Sequence, residues 1–196
     1  MTTLVLATRN RHKVVELRRI LDGAPIELVS GLDLDIPDVE ETGETFADNA
    51  LLKARACVEV TGLPSVADDS GLVVDTLGGA PGVRSARYAG EGADDDANLR
   101  LVLERLDAAT DRTARFVCVA ALVTPGGREV TEDGVMEGML TDSPRGEGGF
   151  GYDPIFIAAG QQRTNAELTA DEKHAISHRG AAFRAIRPHL VALTSA

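Results

Sequence analysis

The stretch "LPSVADDSGLVVD", Leu63–Asp75, places two aspartates between apolar runs. It reads as two strand ends, "SVADD" and "GLVVD", around a turn at Ser70-Gly71. In an extended chain, successive side chains point to opposite sides, so Asp68 and Asp69 cannot face the same way. One would meet the polar side of a sheet and the other a cleft. Burying an unpaired carboxylate is costly, so the pair should face water, a cation or a substrate. A turn rich in Asp, Ser and Gly explains the stretch as well as a chemical role does, since turns favour these residues. The chemical reading is a carboxylate that holds Mg²⁺ and orients a water, beside turn N–H groups that accept an anion.

Outward from this stretch, strands and helices alternate. "TLVLAT", Thr3–Thr8, is a buried strand, and Asn10 caps a helix running to about Asp22, with Val14, Leu17 and Leu21 on one face. "PIELVS" is a second strand, followed by the acidic, irregular "DIPDVEETGE". Thr45 opens a long helix with Asp48 completing a capping box, and Gly62 and Pro64 close it. "GGAPGVRSARYAG" is a glycine-rich loop and "DANLRLVLERLD" an amphipathic helix. "ARFVCVAALVTP" is a long strand, turning at Gly126-Gly127 into "REVTEDGVMEG". "SPRGEGGFGYDP" is a loop before the strand-like "IFIAA". Thr169 and Glu172 form another capping box. Ser177 can cap a last helix lined by Ala182, Ile186, Leu190 and Leu193, which Pro188 should bend or shorten. Alternation followed by a hairpin points to an α/β fold with a mixed sheet.

The 196 residues, 43% hydrophobic, suit one domain spanning 1–196. A formal net charge of −11 argues against general affinity for nucleic acid polymers or anionic membranes. It leaves room for a small anionic substrate where local cations or a metal reverse the field. Cys57 and Cys118 are far apart, outside any C-x-x-C pattern, and read as buried thiols. The start "MTTLVLATRN" is too short an apolar run for a signal peptide or membrane span, which points to a cytoplasmic protein.

Four further segments could carry chemistry. "TRNRHK", Thr8–Lys13, opens a helix whose free N–H groups and cations suit phosphate, although on this segment alone a capped helix with a solvated basic start is the favoured reading. "EETGETF", Glu40–Phe46, offers a hard oxygen ligand or simply favours the helix dipole. "GEGGFGYDP" contains G-x-G-x-x-G at Gly146, Gly148 and Gly151, but a strand-like run follows, which rejects a dinucleotide fingerprint. Phe150 and Tyr152 read better as an aromatic wall for a flat ring, and Asp153 before Pro154 as a turn former. In "DEKHAISHRG", Lys173, His178 and Arg179 put donors near helix ends, with no second histidine at zinc-ligand spacing.

In their order and spacing, these segments resemble the inosine triphosphate pyrophosphatase family over nearly the whole chain. The resemblance rests on "TRNRHK", "EETGETFADNALLKA", "ADDSGL", "GGAPGVRSARY", "GGFGYDPIF", "AELT" with "EK", and "SHRG". It implies an elongated mixed sheet flanked by helices, two lobes with a substrate cleft between them, a homodimer and Mg²⁺ dependence. It implies hydrolysis of dITP, ITP and XTP to the monophosphate and pyrophosphate, which cleanses the nucleotide pool. Asp69 would be general base and Mg²⁺ ligand, with Glu40, or failing it Glu41, as the second acid and Asp68 in support. Ser70 and Thr8, Arg9, Asn10, Arg11, His12 and Lys13 would hold phosphates. Phe150, Gly151, Tyr152 and Asp153 would flank base and sugar, and Lys173, His178 and Arg179 would meet the purine edge. There a 6-keto oxygen accepts and an adenine amino group does not. Arg9, Arg11 and His12 stand where many members carry small residues. A pyrophosphatase for modified pyrimidine nucleotides and a non-catalytic nucleotide-binding module are the alternatives; intact Glu40, Asp69 and Lys13 argue against the latter.

Overall fold

The computed structural model describes residues 2–34, 36 and 39–195. Asp35, Pro37 and Asp38, within the acidic segment read as irregular, lie outside the described residues. Six strands form one mixed sheet in the order β2-β1-β3-β4-β5-β6: β1 (Thr2–Leu6), β2 (Ile26–Ser30), β3 (Ser65–Val74), β4 (Thr113–Val123), β5 (Glu129–Leu140) and β6 (Phe156–Ala158). β1 runs parallel to β2 and β3, and β5 antiparallel to β6. The helices are α1 (Arg11–Ile20), α2 (Phe46–Thr61), α3 (Asp95–Arg105), α4 (Ala170–Ile176) and α5 (His178–Ala192). The expected mixed α/β sheet flanked by helices is therefore present. No helix among the described residues is long and apolar enough to cross a membrane.

The chain divides into two compact units. The first holds Met1–Asp69, Cys118–Gly134 and Arg179–Ala196; the second holds Ser70–Val117 and Val135–His178. In the first unit, strand alternation builds two cores. Leu4 and Leu6 of β1, Val66 of β3 and Cys118, Ala120 and Leu122 of β4 pack with Leu17 and Leu21 at the end of α1 and with Ala182, Phe183, Ile186 and Leu190 of α5. The intervening Val5, Ala7, Ala67 and Val123 pack with Ala54 and Cys57 of α2. α1 and α5 thus cover one face and α2 the other. α5 passes Pro188 and continues to Ala192, so the proline expected to bend or shorten the helix does not end it. Ile186 and Leu190, on either side, are fully buried. Each such burial contributes about 1.5–3 kcal/mol, enough to offset the roughly 3 kcal/mol cost of an interior proline.

The second unit packs Leu72, Val74, Leu99, Val102, Phe116, Tyr152, Ile155 and Phe156 into its own core. Here the expected turn at Ser70-Gly71 is overturned: β3 is one continuous ten-residue strand through both aspartates. Local turn preference yields because extending the strand between β1 and β4 carries Leu72 and Val74 into this core, where both are fully buried. The glycine-rich loop also proves more ordered than expected, containing a 3₁₀ helix at Gly82–Arg87 whose Ser85 hydroxyl accepts from Leu72 N at 2.9 Å.

Candidate active site

β1 ends at Leu6, while β3 beside it runs on. The last link is Ala7 N donating to Val66 O at 2.8 Å. From β1 the chain passes through α1 to β2 on one side, then through α2 to β3 on the other. Such a reversal at the carboxyl end of a parallel strand opens a crevice between the diverging loops, the usual ligand position in open α/β sheets. Thr8–Lys13 and Asp68-Asp69 both lie at this point. Asn10 Oδ1 caps α1, accepting from His12 N at 2.9 Å and Lys13 N at 3.2 Å. Arg9, Asn10, Arg11 and His12 are exposed, and Thr8 and Lys13 half-buried. Ser70, also half-buried, lies within β3 and so offers no turn amides for an anion.

Asp69 faces α2. Its Oδ2 accepts from Asn49 Nδ2 at 3.2 Å and its Oδ1 from Lys53 Nζ at 3.1 Å; Lys53 also donates to Glu41 Oε1 at 2.8 Å. Asn49 and Lys53 are four apart and so share one helix face. The reciprocal Thr45–Asp48 box fixes where α2 starts. Gly43 then brings the preceding loop against α2: its N donates to Asn49 Oδ1 at 2.8 Å, and an added Cβ would lie 2.6 Å from Asp48 Cβ. That approach places Glu41 on Lys53, whereas Glu40 is exposed. Burial, reinforced by Glu41, pushes the Asp69 carboxyl above its ordinary value despite Lys53 and Lys13. Burial opposes the Lys53 charge, but Asp69, Asp68 and Glu41 outweigh it and hold the ammonium protonated.

Asp68 faces α1 and α5. Its Oδ2 lies 3.0 Å from Lys13 Nζ and accepts from Arg179 Nε at 3.2 Å; the Cys118 thiol approaches it at 3.8 Å. Arg179 Nη1 also donates to Glu16 Oε2. Burial disfavours the Asp68 charge, but Lys13, Arg179 and Lys53 more than compensate and hold it far below the usual carboxylate range. Burial, then Asp68 itself, pushes the Cys118 thiol well up.

In the second unit, Asp153 opens a 3₁₀ turn and is 3% exposed. Its Oδ2 accepts from Phe150 N at 2.9 Å and Lys173 Nζ at 2.5 Å, and its Oδ1 from Asn165 Nδ2 at 3.1 Å. It is a hydrogen-bond hub as well as a turn residue. Gly149 makes this possible, with φ +73° and no room for a Cβ beside Asp153 Oδ2. Lys173 Nζ stands 5.0 Å from the centroid of the half-buried Phe150 ring, a cation–π arrangement. Gly151 N donates to Asp95 Oδ2 at 2.7 Å.

The aromatic wall expected from Phe150 and Tyr152 is reduced to Phe150. Tyr152 is buried in the core, its hydroxyl donating to Ser85 O at 2.8 Å. Of the trio Lys173, His178 and Arg179, Arg179 belongs to the first unit and Lys173 and His178 to the second. His178 stacks on Phe116 with centroids 4.8 Å apart and planes within 10°.

Sequence reasoning missed Asn49, Lys53, Glu16 and Asn165. Two of these carried a signal. Lys53 sits beside Ala54 on a largely apolar helix, and Glu16 interrupts the buried stripe of Val14 and Leu17. A charge on a buried stripe requires a partner. Among the described residues, no three or more His, Cys, Asp or Glu side chains form a metal-binding group.

The Ham1 family model matches residues 4–189. The chain is 58% identical over 194 residues to the dITP/XTP pyrophosphatase of Streptomyces coelicolor, covering 96% of each, and 52% identical over 193 residues to that of Geobacter sulfurreducens, covering 97% of each. A HAM1 protein structure from Coxiella burnetii superposes with a TM-score of 0.90 at 46% identity, covering 100% of both chains. The nucleoside-triphosphatase, dITP/XTP pyrophosphatase, of Mycobacterium abscessus does so at 0.78 with 51% identity, covering 95% of this chain and 98% of that one. In sequence and in backbone alike, this chain belongs to the Ham1 family.

Proposed function

We propose that this chain hydrolyses dITP, ITP and XTP to the monophosphate and pyrophosphate with Mg²⁺, cleansing the nucleotide pool. On this reading, residues 1–196 work as a single pyrophosphatase domain, as a homodimer in the cytoplasm. One observation carries it: two adjacent aspartates of β3, beside the end of β1, whose surroundings drive their protonation in opposite directions. Such divergence marks an acid–base assignment. Asp69, the more basic, takes the proton of the attacking water as the bond between the α- and β-phosphates breaks. Asp68 stays ionised and holds Lys13, whose ammonium meets the phosphate oxygens. Lys53 and Asn49 fix the Asp69 carboxylate.

The donor chemistry fits Mg²⁺. Glu41 Oε1 and Asp69 Oδ1 already converge on one ammonium, an oxygen-lined seat for positive charge. Mg²⁺ is characteristically held by one or two carboxylates together with substrate phosphates rather than by a full protein cage. Glu41 and Asp69 would hold it, and when bound it supplies positive charge to the phosphate oxygens. Phe150 and Lys173 are assigned to the base, through ring contact and donation to its 6-keto oxygen. The relatives named dITP/XTP pyrophosphatase support the substrate class.

The test is pyrophosphate release from dITP, ITP, XTP, ATP, GTP and modified pyrimidine triphosphates, with and without Mg²⁺. Metal-dependent release concentrated on dITP, ITP and XTP is expected. Binding without release, or preference for pyrimidines, would overturn the reading. Sedimentation of the purified protein tests the homodimer.

A further inference from the structure

Glu16 is the charged residue that α1 turns inward, 5% exposed between buried Val14 and Leu17. Its partner, Arg179 Nη1, belongs to a guanidinium whose Nε is already on Asp68 Oδ2. Lys13 Nζ is on that same oxygen, so two cations share one carboxylate atom. Like charges this close repel. Glu16 makes the arrangement tenable by drawing on the guanidinium from its other side. The members differ in exposure: the side chains of Arg179, Glu16 and Asp68 are 3%, 6% and 0% exposed, and that of Lys13 is 15%. Lys13 is thus the member able to leave. When it does, Asp68 keeps Arg179, so no bare buried charge remains, and bare buried charge is the costly outcome.

We propose, resting on the triphosphate-hydrolase reading above, that Glu16 is a positioning residue for Lys13. By holding Arg179, it lets Asp68 keep the Lys13 ammonium aimed at the end of β1, from which Lys13 passes to substrate phosphate. Arg179 is the stationary cation of this exchange. Without Glu16, Arg179 bears fully on Asp68 and drives Lys13 out to solvent.

The experiment measures kcat and KM for dITP with Mg²⁺ in the wild type, Glu16→Gln, Lys13→Ala and the double variant. Glu16→Gln is expected to raise KM by about fivefold to tenfold with kcat within about twofold, and to leave KM unaltered in the Lys13→Ala background. The cluster's charge alone argues the opposite, because losing an acid adds net positive charge and favours a polyanion. A fall in KM would therefore overturn the proposal, as would an unchanged KM or effects that multiply in the double variant. If Glu16→Gln does not fold, Arg179→Lys takes its place, keeping the charge but not the two-sided bridge, with the same expectations and the same overturning results. Wild-type turnover in the same assay separates the two readings. Its absence on dITP, ITP and XTP sinks both, whereas normal wild-type turnover with an unmoved KM sinks only the role of Glu16.

Discussion

Asp68 and Asp69 share a strand, a residue type and near-complete burial, yet the two faces of β3 treat them differently. On the face of α1 and α5, two cations close on one Asp68 oxygen and fix its charge. On the face of α2, Asp69 meets an amide, one ammonium and, through that ammonium, a competing acid, Glu41. The difference comes from pleat parity, which sends neighbours to opposite layers. One carboxyl is held ionised as a counter-ion and the other is pushed toward its protonated form, without any difference in their own chemistry.

That contrast can be broken outright. Asp68→Asn leaves Lys13 and Arg179 facing a neutral group and should cost about 3–5 kcal/mol of stability, as when one partner is removed from a buried pair. Urea unfolding checks it, and a cost below about 1 kcal/mol would mean Asp68 is not the anchor described. Asp69→Asn should leave the unfolding midpoint near wild type, since burial disfavours the charge it removes. Its turnover should fall by at least about a hundredfold, as for loss of a general base. Near-normal turnover in this variant would remove Asp69 from the chemistry.

Acid titration sharpens the same comparison. Asp68, depressed in the fold, contributes stability above its unfolded value and loses it only as pH falls through its lower folded value. Asp69, raised in the fold, protonates first on acidification. Turnover should therefore fall at a pH where circular dichroism still reports a folded chain; coincident loss of both would contradict the split. The smaller effects concern Glu40 and Glu41. Glu41→Gln should lower turnover by about tenfold, while exposed Glu40→Gln should change it by less than about twofold. Equal losses in the two variants would undo the distinction made by Lys53.

What the sequence made legible was local. The Asn10 cap, the boxes at Thr45 and Thr169 and the left-handed Gly62 each depend on residues within a few positions, and each is present. The same locality misled at Ser70-Gly71, where turn composition yielded to burial further along β3. It also misled at Tyr152, whose ring is needed by the core rather than left as a wall. The first unit's ion network was out of reach of any local pattern. Arg179 meets Asp68 across 111 positions and Glu16 across 163, so no window contains the pair. Lys53 and Glu41 lie only 12 apart, but their meeting depends on how Gly43 folds the loop back on α2.

The first unit is assembled from three separated stretches, and Arg179–Ala196 is the last of them to leave the ribosome. Until that stretch emerges, Asp68 lacks its guanidinium, and Leu4, Leu6 and Val66 lack Phe183, Ile186 and Leu190 to pack against. Closure over such sequence distances is slow and leaves apolar strands exposed meanwhile. Synthesis therefore has a late checkpoint built into the order of the chain. A nascent polypeptide stalled before Arg179 leaves Asp68 with its lysines but without its guanidinium, and leaves the core of β1, β3 and β4 without the α5 side chains that cover it.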